Sequence, residues 1–205
     1  MRSLPAPRCE RCGHPADRYA CRMCPQFPPW VRALRSVCWV PGGRARDIVH
    51  ALKYGGWAGV AVGMADRMAR LEWPDDVIEE RVALVAVPLA SARERDRGYN
   101  QSALLARHLA ERWRIPDWSD ALLRTRATRT QTQLTPEARS RNVSGAFRAP
   151  SEAESRLRGA HVILVDDVLT TGATVIACAG ALRAAGARIV STVTFGRAPA
   201  LGDPS

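Results

Sequence analysis

The sequence predicts an α/β domain in which a mostly parallel sheet is flanked by helices, preceded by a small cysteine-rich module. Two apolar runs, 82–87 and 162–165, predict buried strands, because each precedes a polar loop and then a segment of helical periodicity. Four cysteines in two close pairs near the N-terminus predict the module. With 205 residues, the chain has room for one such domain and a small appendage.

The cysteines follow the pattern Cys-x2-Cys twice, with eight residues between the pairs. Each pair presents two thiolates from one turn, and two such turns make a tetrahedral zinc site. A redox Cys-x-x-Cys usually occurs once, beside a strand–helix unit, whereas these pairs lie in a proline-rich segment. Four thiolates leave no open position, so the pattern favours a structural zinc over a catalytic one. The predicted ligands are Cys9, Cys12, Cys21 and Cys24.

The segment 30–46 interleaves tryptophan with arginine and has two interpretations. Such a composition is typical of surfaces that stack on single-stranded nucleic acid and contact its phosphates. The favoured alternative is that the tryptophans pack the cysteine module on the larger domain. Cys38 has no partner at ligand spacing and is expected to be a small buried residue.

Two helices are predicted next, over residues 47–54 and 59–71, separated by the glycine pair at 55–56. A break is expected at 73–76. Lys53 is the single lysine of the chain. Its position at a helix end allows either a role near a phosphate or a base, or simple solvation.

The second predicted strand, 82–88, leads into a loop over residues 89–101 that carries arginines at alternate positions. Arginines at the carboxyl end of a strand favour an anion site, because open α/β sheets bind ligands there. The alternative is a self-paired charge run, since Glu94 and Asp96 alternate with the arginines. A helix is expected over 102–113.

Residues 122–148 form a second arginine-rich region without a sustained apolar stripe. This composition favours a mobile segment that closes over a site, and disorder without function is the alternative. Residues 151–158 are expected to be a polar connector.

The most informative stretch is the apolar run 162–165 followed by Asp166, Asp167 and a loop of threonine and glycine, residues 170–174, called here the Thr/Gly loop. Helical periodicity begins at Ala173, with Gly186 as the C-terminal cap. A helix N-terminus beside hydroxyl donors suits a phosphate. Paired carboxylates suit ribose hydroxyls or a Mg²⁺ shell, so the stretch as a whole predicts a sugar-phosphate site.

Three other interpretations of this stretch are weaker. A P-loop ATPase needs a Gly-x4-Gly-Lys-Ser/Thr motif, and the single lysine lies between Leu52 and Tyr54. A dinucleotide fold needs a Gly-x-Gly-x-x-Gly turn after a strand, which the sequence lacks. Simple capping by the aspartates does not explain the whole pattern of two acids and a Thr-Thr-Gly-x-Thr loop.

The stretch Val-Ile-Leu-Val-Asp-Asp-Val-Leu-Thr-Thr-Gly-Ala-Thr resembles the phosphoribosyl pyrophosphate (PRPP) motif of type I phosphoribosyltransferases. Nearly the whole chain is similar to the ComF family, the competence-associated phosphoribosyltransferase-like proteins. The further motifs that carry the resemblance are the cysteine pairs, Ile-Val-His-Ala-Leu-Lys-Tyr, Val-Pro-Leu, Arg-Gly-Tyr-Asn-Gln, Gln-Thr-Gln-Leu and Arg-Ser-Arg-Asn.

The resemblance implies a type I phosphoribosyltransferase fold and a set of site residues. It implies catalytic roles for Asp166, Asp167 and Arg139, the last in a flexible loop over residues 131–142 that closes over the reaction centre. It also implies PRPP binding by the acid pair and the Thr/Gly loop, with Mg²⁺, and an acceptor region near Lys53 and Tyr54. The PRPP-binding residues would be Asp166, Asp167, Thr170, Thr171, Gly172, Ala173 and Thr174, and the pyrophosphate loop would be Pro88, Arg93, Arg97, Tyr99 and Asn100.

The net charge of +10 favours anionic partners, which are PRPP and, as a second candidate, single-stranded DNA with proteins of the competence machinery. No apolar run approaches the roughly 20 residues that span a bilayer, and no secretory signal is recognisable, so we expect a cytoplasmic protein.

The expected function is PRPP binding in DNA uptake. The alternative is an active nucleobase phosphoribosyltransferase of salvage. The expected division is a zinc module over 1–40, the phosphoribosyltransferase-like domain over 41–199 and a flexible tail over 200–205.

Overall fold

Four strands form a parallel sheet at the centre of the computed structural model, which describes residues 1–15, 21–40, 42–126, 143–200 and 203. Their order across the sheet is β1-β6-β5-β2, and every neighbouring pair is parallel. The α/β class and the parallel sheet are therefore confirmed. The four strands are β1 (Val31–Trp39), β2 (Arg81–Ala86), β5 (His161–Leu169) and β6 (Ile189–Arg197).

Helices cover both faces of this sheet. The helices are α1 (Gly43–Tyr54), α2 (Val60–Ala69), α3 (Asp75–Glu80), α4 (Ser91–Arg97), α5 (Gln101–Trp113), α6 (Ser151–Leu157) and α7 (Ala173–Ala184). Helices α1, α2 and α5 pack on one face, and α6, α7 and the cysteine module pack on the other. Two short strands, β3 (Leu123–Arg124) and β4 (Phe147–Arg148), pair antiparallel beside the second face.

The apolar run of β5 contributes side chains to the hydrophobic core on each face of the sheet. Ile163 and Val165 pack with α1, α2 and α5, whereas Val162 and Leu164 pack with α6 and α7. All four side chains are fully buried. Because side chains alternate along a strand, a strand covered on both faces must be apolar at every position, as the sequence predicted.

Several elements differ from the predicted ones. Strand β5 continues through the two aspartates to Leu169, because its pairing with β6 persists to the Leu169–Arg197 pair. Helix α1 begins at Gly43, four residues earlier than predicted. Helices α3 and α6 replace the expected break and polar connector. Each follows a proline and has two acidic residues in its first turn, which favours a helix start.

The segment that interleaves tryptophan with arginine forms β1, an edge strand that the sequence did not predict. Trp39 is buried, and its ring meets the edge of the His14 ring at a centroid distance of 6.1 Å. The packing interpretation of this tryptophan is thus confirmed, as is the burial of Cys38. The division of the chain at residue 40 stays a prediction; residues 31–39 pair with β6 of the main sheet.

Among the helices that the structure describes, none combines the length and apolarity needed to cross a bilayer.

Candidate functional site

A pocket of about 800 Å³ opens at the carboxyl ends of the central strands, where parallel α/β sheets bind their ligands. It brings together three sets of residues that the sequence singled out separately. The predicted residues in its lining are Lys53, Tyr54, Pro88, Arg93, Arg97, Asp166, Asp167, Thr170 and Thr174.

Asp166 lies at the bottom of this pocket and is buried. Its Oδ1 atom accepts hydrogen bonds from the Ser102 hydroxyl and from the backbone N–H of Asp167, each at 2.9 Å. Burial, together with the negative charge of Asp167, raises the pKa of Asp166 to about 7, although Lys53 acts in the opposite direction. Asp166 therefore titrates close to neutral pH.

Asp167 is paired with the single lysine of the chain. The Nζ atom of Lys53, at the C-terminal end of α1, lies 2.5 Å from Asp167 Oδ2. Burial alone would lower the pKa of Lys53, but the Asp167 carboxylate outweighs it and raises the pKa. Lys53 is thus a cation fixed on the acid pair. This contact favours a role for Lys53 in the pocket over simple solvation at the helix end, which the sequence also allowed.

The Thr/Gly loop connects the end of β5 to the first turn of α7. Gly172 has a φ angle of +80°, which other residues rarely adopt, and it forms the N-terminal cap of the helix. The backbone N–H of Ala173 donates to Thr171 Oγ1 at 3.4 Å. The loop therefore presents the positive end of a 12-residue helix toward the pocket that Thr170 and Thr174 line.

The arginines at 93–97 lie on helix α4, which corrects the prediction of a loop over 89–101. Because residues four apart share a face of a helix, Arg93 and Arg97 both line the pocket, whereas Arg95 is exposed elsewhere. The guanidinium of Arg97 donates to Gln101 and lies 5.4 Å from the centre of the Tyr54 ring. Two cations of α4 therefore face the acid pair across the pocket.

Two predicted pyrophosphate-loop residues make backbone contacts and are absent from the pocket lining. The Tyr99 hydroxyl donates to the carbonyl of Leu52 at 2.6 Å. Asn100 caps α5, where its side chain accepts from the Ser102 N–H and donates to the Val87 carbonyl. Arg139, predicted to be catalytic, lies outside the described residues, as does the predicted flexible loop.

Sequence reasoning missed two polar residues of this site, one of which lies outside the pocket lining. Ser102 hydrogen-bonds the buried Asp166, and Arg124 lines the pocket from β3. Ser102 follows Asn100 at the start of α5, but its partner is 64 residues away in sequence, so only the fold reveals the pair. Arg124 stood among several arginines, and nothing in the sequence distinguished it from them.

The four cysteines form a second candidate site, remote in sequence from the first. Their Sγ atoms all lie within 4.8 Å of one another, with 3.3 Å between Cys9 and Cys24 and 3.4 Å between Cys12 and Cys21. Zinc–sulfur bonds of about 2.3 Å place the sulfurs of a tetrahedral site about 3.8 Å apart. The spacing of the thiols therefore fits one metal ion.

The surroundings of the cysteines also suit a metal. Burial raises the pKa of Cys12, and burial raises the pKa of Cys24 to about 11. These thiols need a nearby cation to ionise at neutral pH, and a bound metal supplies it. His14 is not among the clustered ligands; its Nε2 lies 3.0 Å from a carboxylate oxygen of Asp203.

Comparison with known proteins identifies a matching domain family and several similar proteins. The phosphoribosyl transferase domain family matches residues 99–205. The DNA utilization protein YhgH of Escherichia coli (strain K12) is 36% identical over 196 residues, which cover 89% of this chain and 80% of that protein. The YhgH protein of Salmonella typhimurium is 37% identical with the same coverage. Competence protein F of Haemophilus influenzae is 35% identical over 140 residues, covering 68% of this chain and 57% of that protein.

Proposed function

The chain belongs to the ComF family of phosphoribosyltransferase-domain proteins, and from that premise we propose that it binds PRPP in the pocket at the carboxyl ends of the strands. One observation carries the proposal. The buried acid pair, two threonines of the Thr/Gly loop (Thr170 and Thr174) and two arginines of α4 all line the same pocket. The other predicted residues of the loop, Thr171, Gly172 and Ala173, are not in its lining. The groups that line the pocket match the three parts of PRPP, which are the ribose hydroxyls, the 5-phosphate and the pyrophosphate.

In the proposed complex, the carboxylates of Asp166 and Asp167 accept hydrogen bonds from the ribose 2′ and 3′ hydroxyls. The 5-phosphate binds at the Thr/Gly loop, where backbone N–H groups and the dipole of α7 favour an anion. Arg93 and Arg97 bind the pyrophosphate, because guanidinium groups pair well with phosphate oxygens.

Mg²⁺ is expected to enter with PRPP rather than to occupy a site built by the protein. Among the described residues, only the four cysteines form a group of three or more metal-binding side chains. One acid of the pair already carries the Lys53 ammonium. The oxygens of PRPP would therefore supply most of the Mg²⁺ ligands. A bound Mg²⁺ ion would neutralise charge on the pyrophosphate.

The same residues suit the displacement of pyrophosphate from the ribose. The negative charges of Asp166 and Asp167 stabilise positive charge that develops on the sugar, and Arg93 and Arg97 hold the departing pyrophosphate. Lys53 and Tyr54, at the rim of the pocket, are the proposed acceptor region. Arg139 is proposed to complete the reaction centre.

We place this activity in DNA uptake, within the cytoplasm. The relatives described above are named for DNA utilization and for competence, which favours DNA uptake over nucleobase salvage. We therefore do not adopt the salvage alternative. Single-stranded DNA and proteins of the competence machinery are the proposed macromolecular partners, and the excess of positive charge is consistent with the DNA.

We further propose that the four cysteines bind a structural zinc ion. Four thiolates satisfy a tetrahedral zinc and leave no position for a substrate. The zinc would hold the two cysteine turns together.

Calorimetric titration of PRPP with Mg²⁺ tests the proposed function. The wild type is expected to bind, and the double variant Asp166→Asn, Asp167→Asn is expected to bind at least about tenfold more weakly, because one lost charged hydrogen bond is worth about 1.5–3 kcal/mol. The matched control changes the exposed residues Glu152→Gln and Glu154→Gln on α6, which alters the net charge equally. A wild type that binds no PRPP contradicts the proposal, as does undiminished binding by the aspartate variant.

A further inference from the structure

The cysteine module contacts the Thr/Gly loop directly through Phe27. This ring is buried, three residues beyond Cys24. A methyl group built on Gly172 would come within 2.7 Å of Phe27 Cε1 and 3.2 Å of its Cζ atom, closer than carbon atoms approach in proteins. Glycine therefore has a second function at this position besides its φ angle. It lets the aromatic ring reach the backbone of the loop.

Arg11 fixes the backbone that carries Phe27. Its guanidinium donates to the carbonyl of Phe27 at 2.8 Å and to the carbonyl of Pro28 at 2.6 Å, and its Nε donates to Val31 at 3.1 Å. Arg11 lies between two of the predicted zinc ligands, Cys9 and Cys12. Arg11 therefore connects the first cysteine turn to the backbone that carries the ring.

A second contact joins the module to the end of the strand pair that precedes the loop. Arg197, at the end of β6, is buried and donates from Nη2 to the carbonyl of Cys12 at 2.8 Å. Arg197 is the strand partner of Leu169, the last residue before the loop. The next residue, Ala198, donates its N–H to the Leu169 carbonyl at 2.8 Å. The module therefore contacts the loop itself through Phe27 and the end of β6, beside the residue that precedes the loop, through Cys12.

We propose that Phe27 is a positioning residue for the Thr/Gly loop, and that through it the metal at the four cysteines controls the affinity for a ribose phosphate. Without a metal, four clustered thiols have no common ligand to hold the two cysteine turns together. The loop then loses the ring that orders it, and binding a phosphate must order the loop as well. The identity of the ligand as a ribose phosphate rests on the proposed function, whereas the contact between Phe27 and the Thr/Gly loop does not.

The first experiment measures hydrogen exchange of the backbone amides of residues 170–174 in zinc-loaded protein without ligand. Phe27→Ala is expected to raise the exchange rate about tenfold, and Phe27→Leu is expected to restore most of the protection. Leu157→Ala is the matched control, because Leu157 is fully buried in the same core but lies at the opposite end of the sheet, before β5. Its substitution destabilises the fold without touching the loop.

The second experiment measures the same exchange rates after removal of the metal. Stripping zinc from the wild type with a chelator is expected to raise exchange of the loop by a similar factor. In Phe27→Ala, stripping is expected to add little, because the connection is already broken. Equal exchange in wild type, Phe27→Ala and stripped protein would overturn the proposal, as would full additivity of the two changes.

The last arm separates this inference from the proposed function. Titrations with ribose 5-phosphate and with Mg²⁺ pyrophosphate are compared, because only the first requires the Thr/Gly loop. Phe27→Ala is expected to weaken ribose 5-phosphate about tenfold and to leave pyrophosphate within about twofold of wild type. A wild type that binds no ribose 5-phosphate overturns the assignment of the loop to a phosphate. A wild type that binds while Phe27→Ala binds equally well overturns the positioning role alone.

Discussion

Asp166 and Asp167 are consecutive residues whose carboxylates lie in different environments. Asp167 has the Lys53 ammonium at 2.5 Å. Asp166 accepts hydrogen bonds from two neutral donors, the Ser102 hydroxyl and a backbone N–H. Two adjacent buried carboxylates do not both ionise easily unless a cation is present for each, so one of them keeps its proton to higher pH. Burial and the neighbouring carboxylate raise the pKa of Asp166, so the charge of this residue depends on pH.

The raised pKa of Asp166 makes the stability of the fold depend on pH. An aspartate in an unfolded chain has a pKa of about 3.9, whereas that of Asp166 is about 7. The unfolded chain therefore ionises first, and the contribution of this residue to stability is lost as the pH rises from about 4 to about 7. Between pH 5 and pH 8 the wild type is expected to lose about 2 kcal/mol more than Asp166→Asn, measured by urea denaturation.

Asparagine is a suitable replacement in that comparison, because its carbonyl oxygen accepts the same two hydrogen bonds that Asp166 accepts. The difference between the two proteins removes the effects of all other titrating groups. An identical pH dependence would show that Asp166 is already ionised at pH 5 in the folded protein.

Lys53 offers a direct measurement of its ion pair, since it is the single lysine of the chain. Acetic anhydride reacts with neutral amines only, so the raised pKa of Lys53 is expected to slow its acetylation at pH 8.5. Asp167→Asn removes the carboxylate and is expected to increase the rate severalfold, because the pKa of Lys53 then falls and its neutral fraction at pH 8.5 rises.

Mass spectrometry of the peptide that contains Lys53 gives this rate. Asp76→Asn is a control of equal charge change, because its carboxylate pairs with Arg32 in another part of the molecule. Equal rates of acetylation in wild type and Asp167→Asn would contradict the ion pair.

At the scale of elements, helix α4 determines which arginines face the pocket. Arg93 and Arg97 are four residues apart and share a face, and Arg95 lies off that face. Gly98, with a φ angle of +83°, ends the helix by donating its N–H to the Glu94 carbonyl. Alternate arginines in an extended loop would instead put all three side chains on one side.

The elements that sequence reasoning found and missed differ in a physical respect. Strand β5 was predictable because both its faces are buried, which leaves a continuous apolar run. Strand β1 was not, because it is an edge strand whose Arg32 and Arg35 are satisfied by Asp76 and by backbone carbonyls. Helix α4 was missed because it is short and buries none of its residues, so no apolar period marks it.

The residues of the candidate site likewise divide into those that the sequence predicted and those that it did not. The acid pair and the Thr/Gly loop are contiguous, so their chemistry could be inferred from one stretch. The contacts between Ser102 and Asp166, between Lys53 and Asp167, and between Phe27 and Gly172 join distant segments. Such pairs depend on the packing of whole elements, and a single sequence contains no signal for them.

The geometry of α4 gives a matched pair of substitutions. Arg97→Gln is expected to weaken Mg²⁺ pyrophosphate binding about tenfold, because it removes a charged donor from the pocket. Arg95→Gln removes the same charge from the same helix at an exposed position and is expected to change the affinity less than twofold. Isothermal titration measures both. Equal losses would indicate a general effect of net charge rather than a contact in the pocket.

For the whole molecule, the charge of the pocket does not account for the charge of the chain. Four basic side chains line the pocket, together with three acidic ones, so the pocket carries about +1 of the total of +10. The basic lining residues are Lys53, Arg93, Arg97 and Arg124, and the acidic ones are Asp96, Asp166 and Asp167. Among the residues that the structure describes, most of the excess positive charge therefore lies outside the pocket lining, where a polyanion can bind without competing with PRPP.

This distribution predicts how single-stranded DNA binds. The affinity for a fluorescently labelled oligonucleotide, measured by anisotropy, is expected to fall about 20-fold between 50 and 200 mM salt, as for a protein that contacts about three phosphates of a single strand. Saturating PRPP with Mg²⁺ is expected to change the affinity less than twofold when ionic strength is matched with sodium chloride, because the two ligands use different charges. Displacement of the DNA by PRPP would instead mean that phosphates of the strand occupy the pocket. An affinity independent of salt would mean that the positive charge of the chain has no part in holding DNA.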